Sequence, residues 1–300
     1  MPGAHAFPAC LMVHIMFPEL IPARDLRRAI DGFVENLVSR YADTLETLSK
    51  PFLHVLVWLE QVLRGTPWWV VVLAVIVIAW LVSRRLVLSI SMGALLCVIG
   101  LLGLWDAGMQ TLSLMIMAVV TSVIIGIPLG IIMARVNWLR SVMMPVLDVM
   151  QTMPSFVYLI PVVMLFGLGK IPAIIATVIY AVPPLIRLTD LGIRLVDQEV
   201  LEASRAFGAN SRQQLFGVQL PLALPNIMAG INQTTMMALS MVVIASMIGA
   251  RGLGYEVLLG INRLEVGRGL LAGLGIVVLA VLFDRITQSY GQRVRQGGAR

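Results

Sequence analysis

The chain is 300 residues long, 59% hydrophobic and 13% charged, with a formal net charge of +6 and a mean hydropathy of +0.92. Soluble domains carry about 25% charged residues, so this composition excludes a water-soluble globular fold and points to an all-α polytopic membrane protein. The positive balance needs no nucleic acid partner, because basic loops facing an anionic inner leaflet account for it.

Residues 1–66 differ from the rest. The first 23, with Pro2, Pro8, Pro18 and Pro22, read as irregular. No basic residue precedes the short apolar run at 9–17, which argues against a cleaved signal peptide, and Cys10 lacks a lipobox-like pattern. Leu26, Ile30, Phe33, Leu37, Tyr41, Leu45 and Leu48 then recur at spacings of three and four, the pattern of an amphipathic helix. Such a helix is expected to lie on the outer membrane face or to cover the bundle rather than cross. His5, His14 and His54 share this segment without ligand spacing, and Cys10 and Cys97 sit in unrelated settings. Neither a metal site nor a disulfide framework is expected.

From residue 67 onward, apolar runs near the roughly 20 residues that cross a bilayer recur. About seven spans are expected, at 67–83, 86–105, 109–134, 152–169, 171–190, 224–249 and 267–283. Pro154, Pro161, Pro172, Pro183 and Pro184 crowd the fourth and fifth, which should be kinked or broken. Broken helices at membrane depth need protein or a wet cavity to satisfy their backbone, so a pathway is expected nearby. Placing the N-terminus outside puts Arg84, Arg85, Arg135, Arg140, Arg187, Arg194, Arg205, Arg212 and the basic tail at 291–300 inside, as the positive-inside rule demands. The expected topology is therefore N-out and C-in, with a membrane domain over 67–290.

Catalytic signatures are missing. There is no G-x-x-x-x-G-K-[ST] for nucleotide, no H-E-x-x-H and no G-x-S-x-G elbow. Asp148, Arg187, Asp190 and Asp284 fall near span ends, whereas ion-driven carriers usually bury such groups at mid-membrane. That weighs against a secondary carrier without excluding one, since backbone carbonyls can hold sodium. An integral-membrane enzyme would show a cluster of acids, histidines or serines at one face, and none is found.

The stretch "EASRAFGANSRQQLFGVQLPLALP", residues 202–225, interrupts this apolar chain. Asp197 can cap a helix, with Glu199 in its first turn, and Gly208 can end that helix in a left-handed conformation. Ser211, with Gln214 three residues on, reads as the capping box of a second short helix, which Pro221 and Pro225 stop before the next span. Val200 and Phe207 supply apolar anchors, while Ala203, Ala206 and Gly208 allow close approach. A bare connector and a partner-docking loop both fit these features.

The same stretch resembles the EAA loop of ATP-binding-cassette importer permeases. Glu202, Ala203 and Ser204 stand for E-A-A, Gly208 follows after three residues, and Val218, Leu220 and Pro221 close the pattern; Ser204 and Val218 are its departures. "LDVMQTMPSFVYLIPVVMLFGLGKIP", "PPLIRLTDLGI" and "MAGINQTTMMALSMVVIASMIGARGLG" extend the likeness to the glycine betaine/proline permease subfamily, over roughly residues 65–290. The resemblance implies a type I importer permease fold with a cytoplasmic coupling helix in the loop at about 197–221. It implies two cytoplasmic ATPase subunits that bind the ATP and magnesium, a second permease subunit, most simply a homodimer, and an extracytoplasmic substrate-binding protein. The chain itself would be a non-catalytic, cofactor-free, multi-pass subunit of the bacterial inner membrane, carrying quaternary ammonium osmolytes such as glycine betaine, proline betaine or choline, or proline. The alternatives are an ion-coupled carrier and a permease of the same kind for another small nutrient.

On that reading the coupling residues are Glu202, Ala203, Ser204, Phe207, Gly208, Leu220 and Pro221. Glu202 either contacts the ATPase or holds the loop. Phe156, Tyr158 and Tyr180 are candidates for the substrate path, because aromatic faces hold quaternary ammonium groups, although aromatics in spans more often pack or anchor. Asn232 and Gln233 either line the pore or bond across helices. Asp148, Gln151 and Pro154 are a gate or hinge, or more simply a helix cap followed by a proline kink. Arg251, Gly252, Leu253 and Gly254 mark an outer turn whose glycines allow a sharp bend.

Overall fold

The computed structural model describes residues 23–297, and every regular element among them is helical. In chain order these are α1 (Ala23–Gly65), α2 (Trp68–Ser83), α3 (Leu86–Leu101), α4 (Trp105–Arg135), α5 (Asn137–Thr152) and α6 (Ser155–Phe166). There follow α7 (Lys170–Arg194), α8 (Gln198–Ala206), α9 (Ser211–Gln214), α10 (Leu220–Ile244), α11 (Leu253–Arg263) and α12 (Val266–Gly297). The expectations for residues 1–22, Cys10, His5 and His14 included, lie outside the described residues.

The core is built on α7, which lies between α4 and α10. Small residues let these helices approach. Gly126 and Gly130 of α4 face Leu185 and Thr189 of α7, Gly192 of α7 faces Asn226 of α10, and Gly230 of α10 returns to Leu185. One apolar cluster joins α6, α7 and the end of α10 to Leu56 of α1. A second joins α2, α3, the start of α4, and α12. Outside it, Leu86, Val87 and Leu101 of α3 and Leu270, Leu274 and Val277 of α12 are exposed, an exterior that suits lipid rather than water.

Four helical stretches are long and apolar enough to cross a membrane: Trp105–Arg135, Lys170–Arg194, Ser211–Ile248 and Val266–Gly291. Two further helix pairs are apolar and long enough only when taken together, and each is sharply bent, as a broken span or a re-entrant loop is. The last part of α1, from Ser49, meets α2 at 109°, and α5 meets α6 at 102°. Pro67 and Pro154 stand immediately before the second helix of each pair, where a missing N–H costs nothing. The seven expected apolar segments thus all fall on helices, but unequally. The expected span at 86–105 holds α3, whose 16 residues reach about 24 Å, short of a hydrocarbon core of about 30 Å. The expected fourth span at 152–169 is corrected to the bent α5–α6 pair, with α6 only 12 residues long. The fifth, despite Pro183 and Pro184, is the most enclosed of the long helices. It is covered by α4 and α10, so the backbone that its prolines leave free faces protein rather than lipid.

Helix α1 forms as the spacing requires, but Leu26, Ile30, Phe33 and Tyr41 are exposed; the side chains of Leu37, Leu45 and Leu48 lie outside those described. Packing begins near Ser49, where Leu56 and Glu60 are buried. There Glu60 binds Lys170 Nζ at 2.5 Å, and Arg64 reaches Glu60 at 3.5 Å and Asp106 at 3.0 Å. These pairs tie the end of α1 to the starts of α4 and α7.

The turn at 251–254 is more than a turn. Gly249 and Gly252 take φ of +94° and +139°, and α11 then folds back against α12, with Gly260 so close to Gly269 that a Cβ would meet its backbone nitrogen at 2.7 Å. Helix α12 continues past the expected span end at 283, so Asp284 lies within a continuous helix.

Candidate coupling site and permeation path

The polar loop at 197–219 is built as two short helices and a wide turn. Asp197 caps α8, its side chain accepting from the Glu199 N–H at 2.9 Å. Helix α8 ends at Phe207, and Gly208, at φ +83°, turns the chain. Gly208 N–H donates to Arg205 O at 2.8 Å and Ala209 N–H to Ser204 O at 3.0 Å, so the left-handed residue satisfies the last carbonyls of the helix.

The second capping box is shifted by one residue from the sequence expectation. Asn210, not Ser211, is the cap: its side chain accepts from Gln213 N–H at 2.9 Å, and Gln213 Oε1 accepts from Asn210 N–H at 2.8 Å. Gln214 is thereby free to turn inward. It is buried, and its Nε2 donates to Leu201 O at 3.1 Å and Ser204 Oγ at 2.9 Å. Ser204, the departure from E-A-A, is thus half of a polar staple that fixes α8 on α9. The sequence marked it only as a coupling residue that departs from E-A-A, because a Ser–Gln pair ten residues apart has no local signature. Gln214→Leu should remove both hydrogen bonds that hold α9 to α8, leaving the Ser204 hydroxyl bonded only to Leu201 O within α8, at a cost of about 1–3 kcal/mol. Amide hydrogen exchange over residues 198–214 is expected to quicken roughly tenfold or more, and unchanged exchange would dismiss the staple.

Pro221 and Pro225 do not stop the second helix, contrary to expectation. A π-helical turn at Leu215–Gln219 carries the chain straight into α10, with Leu220 N–H donating to Leu215 O. The wider turn absorbs the bond that Pro221 cannot make. Leu220 packs with Leu185, Ile193, Ala223 and Ile227, while Pro221 is exposed. Arg135, at the end of α4, donates to Ser211 O at 3.0 Å and Gln219 Oε1 at 3.1 Å, binding the loop to the bundle.

One side of the loop has no cover among the described residues. Leu201 is buried beneath, whereas Val200, Glu202, Ala203 and Ala206 are exposed, Phe207 is 93% exposed, and Phe216 is exposed beyond them. Glu202 makes no hydrogen bond or ion pair among the described residues. The surface is small-residue and apolar at its centre, with large anchors at its edge.

The proposed path residues do not form one cluster. Tyr158 is buried, its hydroxyl donates to Met150 O, and its ring meets Tyr180 edge to face at 5.8 Å. This pair bridges the α5–α6 bend to α7. Phe156 is half exposed and outside that pair. Asn232 joins a different group: its Nδ2 donates to Asp284 Oδ1 at 3.1 Å and its Oδ1 accepts from Thr287 Oγ1 at 2.5 Å. Asn232 thus bonds across to α12, and Gln233 is exposed beside it. Asp148 is not a cap. It sits inside α5 and accepts from Arg187 Nη2 at 2.6 Å. Gln151 lies in the last turn of α5, and Pro154 at the bend.

Comparison with known proteins agrees with this architecture. Residues 126–296 match the family described as binding-protein-dependent transport system inner membrane component. The chain is 46% identical to the glycine betaine/proline betaine transport system permease protein ProW of Escherichia coli (strain K12), over 89% of this chain and 75% of that protein. It is 42% identical to the glycine betaine/carnitine transport permease protein GbuB of Listeria monocytogenes serotype 1/2a (strain 10403S), over 92% of this chain and 98% of that one. Among solved structures, the inward-facing MetNI methionine ABC transporter superposes with a TM-score of 0.53 at 23% identity, over 64% of this chain and 95% of that chain, which speaks for the fold. The family match takes in the last turns of α4 from Gly126, all of α7 and α10, and the whole polar loop. The chain belongs to the family of inner-membrane components of binding-protein-dependent transport systems, and it is the permease of an ABC importer that works with an ATPase and a substrate-binding protein.

Proposed function

We propose that this permease carries a quaternary ammonium osmolyte, glycine betaine or a close relative such as proline betaine, inward across the membrane. The supporting observation is the identity to betaine permeases over nearly the whole chain, polar loop included. In this reading two copies of the chain form the pathway, two ATPase subunits bind ATP and magnesium, and the chain itself catalyses nothing. The N-terminus lies outside and the polar loop and C-terminal tail inside. The loop is the coupling element: Ala203, Ala206 and Gly208 seat α8 against the ATPase, Phe207 anchors it, and the free Glu202 carboxylate supplies a polar contact. Residues 67–290 are the permease domain, 1–66 its outer appendage and 291–300 a basic tail. Asp148, Gln151 and Pro154 surround the bend that serves as a hinge.

Nucleotide can shift such a machine only if the ATPase grips the loop differently in two states. Closure of the ATPase dimer on ATP would draw both α8 helices together and open the pathway outward; hydrolysis reverses it. Specificity rests mainly with the delivering protein, since a translocating pore must bind weakly. The test of cargo is calorimetric titration of the cognate binding protein with glycine betaine, proline betaine, choline, carnitine, proline and a sulfonate. Selective binding of a quaternary amine is expected. Selective binding of an amino acid or sulfonate would overturn the cargo and leave the permease assignment standing.

A further inference from the structure

Directly before the coupling helix, α7 presents Arg187, Asp190 and Arg194, three and four residues apart and so on one helical face. The Asp190 side chain is 1% exposed. Its Oδ2 accepts from Arg140 Nε of α5 at 3.1 Å, and its Oδ1 accepts from Arg194 Nε at 2.9 Å. Arg194 continues outward, donating to Met133 O of α4 at 3.1 Å and to Asn137 Oδ1 of α5 at 2.9 Å. A second pair, Arg187 to Asp148, joins the same two helices with reversed polarity. The reversal fixes the register: a shift of α5 by one turn along α7 would bring Arg140 against Arg187 or Arg194 and leave Asp190 buried without its partner, which like-charge repulsion forbids.

We infer that Asp190 is a positioning residue that makes α5 and the last turns of α7 move as one lever with α8. The inference rests on the coupling role proposed for α8. Only Leu195, Val196 and Asp197 separate α7 from α8, so a pull on α8 reaches Asp190 through three connecting residues and the last turn of α7. From there it passes to α5 through Arg140, and α5 ends at the 102° bend before α6, a break in helical hydrogen bonding that can open or close at low cost. The Tyr158 hydroxyl spans that bend to Met150 O, which sets its resting angle. The buried carboxylate therefore links the ATPase-facing helix to the broken helix of the bundle. Unlike a lone surface ion pair, which contributes little, it holds both guanidinium groups from a site without water to replace them.

The experiment uses the complete complex in proteoliposomes: this chain, its ATPase and a loaded binding protein. Uptake and ATP hydrolysis are measured together. Arg140→Gln leaves Asp190 held by Arg194 and is expected to fold. It should raise the ATP consumed per substrate moved about tenfold, within the range of ordinary allosteric coupling, with the apparent affinity for loaded binding protein unchanged. Asp190→Asn should shift the ratio further in the same direction, and Arg140→Lys, which keeps the charge, should restore it. If Arg140→Gln keeps the wild-type ratio, the inference is overturned, even where Asp190→Asn lowers thermal stability, because the carboxylate would then serve folding alone. A wild-type complex without ATP-linked uptake would instead overturn the importer reading on which the lever depends.

Discussion

Gly208→Val is expected to reduce substrate uptake by at least about tenfold while basal hydrolysis by the ATPase subunits persists. The cause is the backbone alone. Gly208 holds φ at +83°, and a Cβ there would meet nothing within 4 Å, so no neighbour is crowded. Left-handed geometry costs an ordinary L-residue about 1–2 kcal/mol, and β-branching adds to it. Coupling between distant sites is itself about 1–3 kcal/mol, so a penalty of that size at the end of α8 is enough to re-aim the helix. Gly208→Asn tests the cause, because Asn tolerates the left-handed region and should retain most uptake. Paired measurements of uptake and binding-protein-stimulated hydrolysis decide it. A Gly208→Val complex with both at wild-type level would remove α8 from the coupling path.

Gly130→Val should have the largest effect on stability. A Cβ at Gly130 would lie 2.6 Å from Thr189 Cβ and 2.8 Å from Ile186 O, and the carbonyl belongs to a helix that cannot step aside. Forcing α4 away from α7 costs about 3 kcal/mol by the measure of overpacked cores. It also disturbs the seam that carries Asp190 one residue after Thr189. Thermal unfolding in detergent, followed by size-exclusion recovery, is expected to shift down clearly. Gly217→Val, where a Cβ has open space, should shift far less. Equal behaviour of the two variants would refute the close-packed seam.

Much of this was legible in the sequence because its causes are local. Apolar runs placed the helices, Asp197 and Gly208 bounded α8 by capping and left-handed geometry, and Pro154 marked a bend. What was not legible depends on partners distant in sequence. Asn210 displaced Ser211 as cap because both residue types cap well, and only the inward demand on Gln214 chooses between them. Pro221 reads as a stop until the π-helical turn before it is seen. Helix α11 was missed because its glycines read as a turn, while Gly260 and Gly269 serve close helix contact. Asp148 looked like a cap because Arg187, 39 residues away, is invisible to local pattern. Asp190 was set aside as a span-end charge, yet its burial against Arg140 and Arg194 is set by the packing of three helices. The aromatic candidates for the path divided, Tyr158 and Tyr180 into a packed pair and Phe156 outside it, since aromatic residues in a span signal burial, lipid and ligand alike.

Reconstitution tests the account most directly. Proteoliposomes containing this chain and its ATPase, given loaded binding protein on one side and ATP on the other, should accumulate labelled glycine betaine only when ATP is hydrolysed, and omission of any component should abolish uptake. Accumulation by this chain alone, driven by a proton or sodium gradient without the ATPase, would contradict it.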